Sequence, residues 1–169
     1  MVDASSRVVR YDTLVYALGG AADVDAVPGA REHAFTVAEV DQALRLRAQL
    51  VGLATGRAIA VAGGGLTGIE TATELAEAYP GLRIELACAG RVGGSLSARA
   101  ERHLRRAFER MGIKVYEGSR IAKVGPNSLL LDDGRSLHAD VIVWAAGLRV
   151  PAGSRGRASS RRAWPDDRR

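Results

Sequence analysis

The run Arg57-Ala-Ile-Ala-Val-Ala62 passes directly into Gly63-Gly-Gly-Leu-Thr-Gly68, and few folds accommodate that junction. An apolar, β-prone run of this kind reads as a buried strand. Beyond the glycines the pattern turns helical over residues 69–79, Pro80-Gly81 stops it, and a second strand-like run follows at residues 82–87. In a chain with 20 glycines, G-x-G-x-x-G spacing alone is weak. Set between a strand and a helix, with another strand after it, the spacing predicts a dinucleotide-binding unit. Gly63 would allow the tight turn, Gly65 the approach of a pyrophosphate, and Gly68 the packing of helix on strand. Gly64, Leu66 and Thr67 complete the loop, and the helix amino terminus offers N–H donors to the phosphates. The competing reading is a glycine-rich turn that binds nothing.

The rest of the chain supports a parallel sheet. Leu104, Ala107, Phe108 and Met111 recur at helical spacing, Gly112 ends that helix, and residues 113–117 form the next strand, which completes a βαβαβ pattern. Residues 121–124, 129–131 and 136–137 read as short antiparallel strands joined at Gly125-Pro126-Asn127-Ser128 and Asp132-Asp133-Gly134, and residues 140–144 as the last strand. Upstream, residues 11–20 read as a strand closed by two glycines. Thr36 and Glu39 have capping-box spacing before a helical face of Val40, Ala43, Leu44, Leu46 and Leu50. The expected fold class is α/β: a three-layer Rossmann-type dinucleotide-binding domain with a parallel sheet plus an antiparallel meander, and the nucleotide at the strands' carboxyl ends.

One string occurs twice. Asp12-x-Leu-Val-x-Ala-x-Gly19 returns as Asp140-x-Ile-Val-x-Ala-x-Gly147. In each copy an acidic residue opens an apolar strand and Ala-x-Gly closes it, so that the backbone can pass close to a ligand at the strand's end. Gly19, Ala146 and Gly147 are therefore candidate cofactor contacts. Two ordinary parallel strands with glycine stops are the alternative.

The cofactor's identity stays open at this stage. A unit specific for NAD usually ends its second strand with Asp or Glu, which reads the ribose. Here that place holds Cys88, Glu85 lies inside the strand, and Arg91 just beyond could meet a 2′-phosphate. Cys88 otherwise reads as a small buried hydrophobe. As the single cysteine it excludes a paired-cysteine redox centre within this chain. His33, His103 and His138 are scattered, without triad or metal-ligand spacing, so neither catalytic protein residues nor a metal site are predicted.

Charge adds little to function. Of 24 Lys and Arg, seven lie between Arg149 and Arg169 against only Asp166 and Asp167, so the net charge of +5 belongs to the tail and the body is neutral. Arginines without interleaved aromatics read as a solvated, disordered tail, and no nucleic-acid partner is expected. With 25% charged residues and no apolar run of spanning length, the expectation is a cytoplasmic chain with no transmembrane segment.

Three strings carry a family resemblance: Tyr11-Asp-x-Leu-Val-x-Ala-x-Gly19, Gly63-Gly-Gly-x-Thr-Gly-Ile-Glu70 with Glu74-Leu75, and Ala139-Asp-Val-Ile-Val-Trp-Ala-Ala-Gly147. Together they resemble the pyridine nucleotide-linked FAD-dependent oxidoreductases, and within them the type II NADH dehydrogenase-like group. The resemblance implies an NAD(P)H domain inserted in a discontinuous FAD domain, with the repeated string at its crossing points. It also implies that Glu70 faces the nicotinamide side, where hydride passes to the flavin. Its alternative role is a first-turn residue favoured by the helix dipole. The domains expected on this basis are an FAD-domain remnant over residues 1–52, the NAD(P)H domain over 53–139, a return strand over 140–150 and the basic tail over 151–169. The glycine-motif unit that would precede Tyr11 and the strand ending in Gly-Asp that would follow Pro151 are missing from the pattern, as in a truncated or frame-shifted product. The expected function is the NAD(P)H-binding portion of an FAD-dependent NADH:acceptor oxidoreductase. A quinone is the acceptor the resemblance suggests, and peripheral membrane attachment belongs to the full-length family. The alternative is a nucleotide-binding fragment without turnover. Oligomeric state is not legible.

Overall fold

The computed structural model of the chain describes residues 2–4, 7–9, 12, 13, 15, 17 and 19–149. In chain order its elements are β1 (Val2–Ala4), β2 (Arg7–Val9), β3 (Ala21–Ala22), α1 (Ala30–His33), α2 (Val40–Val51), β4 (Ala58–Ala62), α3 (Leu66–Ala78), β5 (Arg83–Ala87), α4 (Ala98–Met111), β6 (Lys114–Tyr116), β7 (Ile121–Gly125), β8 (Ser128–Leu131), β9 (Ser136–His138), β10 (Val141–Trp144) and β11 (Leu148–Arg149). Residues 21–149 form one compact unit. In the other unit β1 and β2 pair antiparallel.

The larger unit is built on a four-stranded parallel sheet in the order β10-β4-β5-β6. Every residue of β4 is buried, and its side chains divide by the period-two rule. Ile59 and Val61 join Ile84, Leu86, Val141 and Val143 on one face, under Leu46 and Leu50 of α2, Ala72 and Leu75 of α3, and Phe108 of α4. Ala60 and Ala62 join Ala87, Ile142 and Trp144 on the other face, against Ile121, Val124, Leu129, Leu131 and Leu137 of the three-stranded β7-β8-β9 meander. The layers are therefore helices, parallel sheet and antiparallel meander. Small alanines on the meander face let the second layer approach closely, while branched residues on the helical face fill the grooves of α2, α3 and α4.

β10 is the last of the four strands in the chain yet pairs with β4, the first, and not with β6. Asp140 secures the start of that pairing. Its Oδ2 accepts the Ala58 N–H at 2.8 Å, its own N–H donates to the Ala58 carbonyl at 2.8 Å, and its Oδ1 lies 3.2 Å from Arg57. At the end of the strand the Trp144 indole N–H donates to the Asp23 carbonyl, and beyond it β11 pairs antiparallel with β3. Among the described residues, no helix is long and apolar enough to cross a membrane.

Four expectations change. The described residues between 12 and 20 carry no strand, while Tyr11, Leu14, Tyr16 and Leu18 lie outside the described residues. Val15 is largely exposed. Thr36 and Glu39 do not form a reciprocal box at a helix start: the Thr36 hydroxyl donates to the Glu39 carboxylate, and α2 begins later, with Glu39 at its N-cap. The helix after the glycines starts at Leu66, earlier than predicted, because the glycine loop itself supplies its first turn. The short elements α1, β3 and β11 were not foreseen, being too brief for any periodicity to show. The basic tail beyond Arg149 lies outside the described residues.

Candidate functional site

The parallel order reverses between β4 and β10, and a cleft of about 700 Å³ opens at the carboxyl ends of β4, β5 and β10. Its walls are residues 63–65 after β4, residues 87–91 at the end of β5, residues 144–147 at the end of β10, and residues 26–28 and 120–122. In open α/β sheets ligands bind at such a switch point, where backbone N–H groups are free and helix dipoles converge.

The three motif glycines differ in what a side chain would meet. Gly63 has φ +131°, and a Cβ there would lie 2.7 Å from the Ala145 carbonyl, so the two strand ends touch through it. At Gly68, a helical position, a Cβ would collide with the Gly63 carbonyl oxygen, so only glycine lets α3 start this close to the turn. Gly65 is the opposite case: it lines the cleft, is exposed, and a Cβ there would meet nothing within 4 Å. Open space over the N-cap of a 13-residue helix is the space an anionic pyrophosphate needs, with the first-turn amides facing it. The loop therefore fits a dinucleotide.

Cys88 also lines the cleft, buried beneath the loop, with its thiol donating to the Gly90 carbonyl at 3.1 Å. A Cβ on Gly64 would stand 2.7 Å from Sγ, so this sulfur sets how close the loop comes to β5. Burial, and next the Glu117 carboxylate, push the thiol above its ordinary pKa, so it is a protonated packing group at neutral pH.

Arg91 lines the same wall and pairs with Glu101 on α4. Glu101 also holds Arg105 at 3.0 Å, and Arg105 reaches Glu117 at 2.9 Å. Both carboxyl groups stay below the ordinary range, for different reasons. Glu101 is lowered by hydrogen bonds from Arg91 and then Arg105. Burial pushes Glu117 up, but the Val92 N–H at 2.7 Å and the Arg105 guanidinium outweigh it.

The predicted site residues thus separate into groups. Gly63, Gly64, Gly65, Cys88, Arg91, Ala146 and Gly147 come together around the cleft, and Gly68 shapes it from behind. Leu66 and Thr67 occupy the first turn of α3 with exposed side chains outside the lining. Glu70 is exposed, outside the lining and past the first turn, which contains no acidic residue, so the first-turn dipole role does not apply. Gly19, at φ +72°, belongs to the other unit. Glu85 stands in mid-strand, in register with Lys114 on β6 and away from the cleft. Ser95, Arg120 and the segment 26–28 line the cleft without having been predicted. Arg120 is brought there by tertiary hydrogen bonds from Gly118 and Ser119 to the turn after β5, for which no local sequence signal exists.

Comparisons with known proteins agree with this geometry. The family model described as pyridine nucleotide-disulphide oxidoreductase matches residues 1–158. The chain is 35% identical to the NADH dehydrogenase-like protein MT1860 of Mycobacterium tuberculosis, over 88% of this chain and 43% of that protein. It is 30% identical to the NADH dehydrogenase-like protein YutJ of Bacillus subtilis, over 83% of this chain and 40% of that protein. The chain spans less than half the length of these curated relatives. Among solved structures, the ferredoxin reductase for the CYP199A2 system from Rhodopseudomonas palustris superposes with a TM-score of 0.70 at 23% identity, over 86% of this chain and 37% of that one. With the glycine loop, the switch-point cleft and the match along most of its length, the chain belongs to the pyridine nucleotide-disulphide oxidoreductase family.

Proposed function

We propose that the chain is the NAD(P)H-binding portion of an FAD-dependent NADH:acceptor oxidoreductase. The observation that carries this reading is the open face of Gly65 in the switch-point cleft, a backbone surface shaped for a pyrophosphate where no side chain intrudes. When bound, the nicotinamide supplies hydride and the flavin accepts it. The chain's own residues do the positioning. The α3 amino terminus holds phosphate oxygens through its amides, Gly63 and Ala145 close the floor, and Ala146 and Gly147 give the nicotinamide half a flat backbone wall.

Several finer points rest on the resemblance and on the relatives' names. These are a quinone as acceptor, FAD on flanking segments divided near residues 53 and 139, Gly19 as a cofactor contact, and Glu70 on the nicotinamide side. A second reading, nucleotide capture without turnover, draws support from one feature: every described residue that lines the cleft falls within the unit of residues 21–149.

The decisive experiment is a calorimetric titration of the full chain with NADH and with NADPH, repeated on Gly65→Trp, together with a visible spectrum and a dye-reduction assay. Because nothing lies near a Gly65 side chain, the indole should fill the cleft without unfolding the chain and abolish binding. A Gly65→Trp variant that binds as the parent does would sink the proposal. A flavin band with NADH-dependent dye reduction would decide for turnover, and nucleotide binding without either would decide for capture alone.

A further inference from the structure

We propose that the cleft selects the 2′-phosphorylated dinucleotide, NADPH, over NADH, with Arg91 and Arg120 holding the adenosine 2′-phosphate; this rests on the nucleotide reading above. In a unit that prefers NADH, a carboxylate at the end of the second strand accepts from the ribose hydroxyls and repels a phosphate placed there. Among the described residues no carboxylate lines this cleft. The charged side chains among them are Arg91 and Arg120, and the strand-end place holds the protonated thiol of Cys88. The ribose end of the cleft is therefore cationic and free of the group that would exclude a phosphate.

The two arginines are brought to the same turn from different parts of the chain. The Gly118 N–H donates to the Gly90 carbonyl at 3.2 Å and the Ser119 N–H to the Cys88 carbonyl at 3.1 Å. This places Arg120 next to the turn that carries Arg91. Asp132 accepts the backbone N–H of Arg120 at 3.0 Å, but among the described residues its guanidinium has no ion-pair partner.

Arg91 is engaged with Glu101, and the network explains why that pair does not block the site. The Arg91 side chain is 68% exposed, whereas Glu101 is 14% exposed and keeps Arg105 at 3.0 Å when Arg91 turns away. Release of Arg91 leaves no orphaned carboxylate. Exchanging a shared carboxylate for a phosphate dianion then favours the guanidinium, whose planar fork matches phosphate oxygens. Glu117 is already occupied by Arg105 and the Val92 amide.

The test is calorimetric titration of the full chain with NADPH and NADH, and with AMP and its 2′-phosphorylated form as probes of the adenosine end alone. NADPH should bind at least about tenfold more tightly than NADH, and the phosphorylated probe more tightly than AMP. Arg91→Ala and Arg120→Ala should each weaken NADPH by about tenfold while leaving NADH within about twofold. Cys88→Glu should reverse the preference if it folds, and the two arginine variants carry the test if it does not. NADH binding as tightly as NADPH overturns the selectivity and leaves the nucleotide site standing. Binding of neither by the folded chain overturns the nucleotide site and the selectivity with it. A preference that survives both arginine substitutions overturns the assignment to these residues.

Discussion

Cys88 shows how a side chain can shape a site without reacting in it. Its sulfur packs under Gly64, and burial holds the thiol above its ordinary pKa. A thiol whose pKa is raised by folding contributes stability that is fully present below the ordinary thiol pKa and lost as pH rises through the folded one. Alkylation of the native chain at about pH 8 should therefore be slower than that of an unstructured cysteine peptide. Thermal stability should also decline on the alkaline side in the parent more than in Cys88→Ala. A native thiol that reacts as fast as the peptide would show that Cys88 is neither buried nor protonated. The glycines argue in the same way: Gly68 is needed for packing and Gly65 for empty space, although the two look alike in the motif.

At the scale of elements, the junction of β10 with β4 matters most, because the two strands form opposite sides of the switch point. Asp140 ties their starts together through the Ala58 amide and Arg57. Asp140→Ala leaves a buried N–H without an acceptor and should cost about 1–3 kcal/mol in urea denaturation, with Asp140→Asn costing less. Equal stability of Asp140→Ala and the parent would mean that the register is set by the apolar contacts of β10 alone. This junction also shows what the sequence made legible. The acidic residue, apolar strand and Ala-x-Gly of residues 140–147 predicted the strand whose end lines the cleft, and the end of α4 was legible because Gly112 stops a strong apolar period there. The glycine loop was equally legible, since at Gly63 and Gly68 an added side chain would collide with neighbouring backbone. The partner of β10, the placement of Arg120 at the cleft and the pairing of β3 with β11 were not, because they are set by contacts between distant segments.

Across the whole unit of residues 21–149, a single parallel sheet separates two apolar layers, one under the helices and one under the meander. Leu50 lies in the first and Leu131 in the second, both buried. Truncation of either to alanine should cost about 2–5 kcal/mol. Since the strands of one sheet serve both layers, either change should move one common transition, seen alike by near-ultraviolet and far-ultraviolet circular dichroism. Two separable transitions would mean that the meander folds apart from the helices.

The pairing of β10 with β4 also sets a timetable for biosynthesis. The Ala58 amide waits for an acceptor 82 residues further along the chain. A nascent chain leaving the ribosome therefore exposes the open edge of β4 while β5, α4 and the meander are still being made. The wall formed by residues 144–147 is supplied only at the end of that interval, so on the proposed function a dinucleotide would meet its full site only once β10 has arrived.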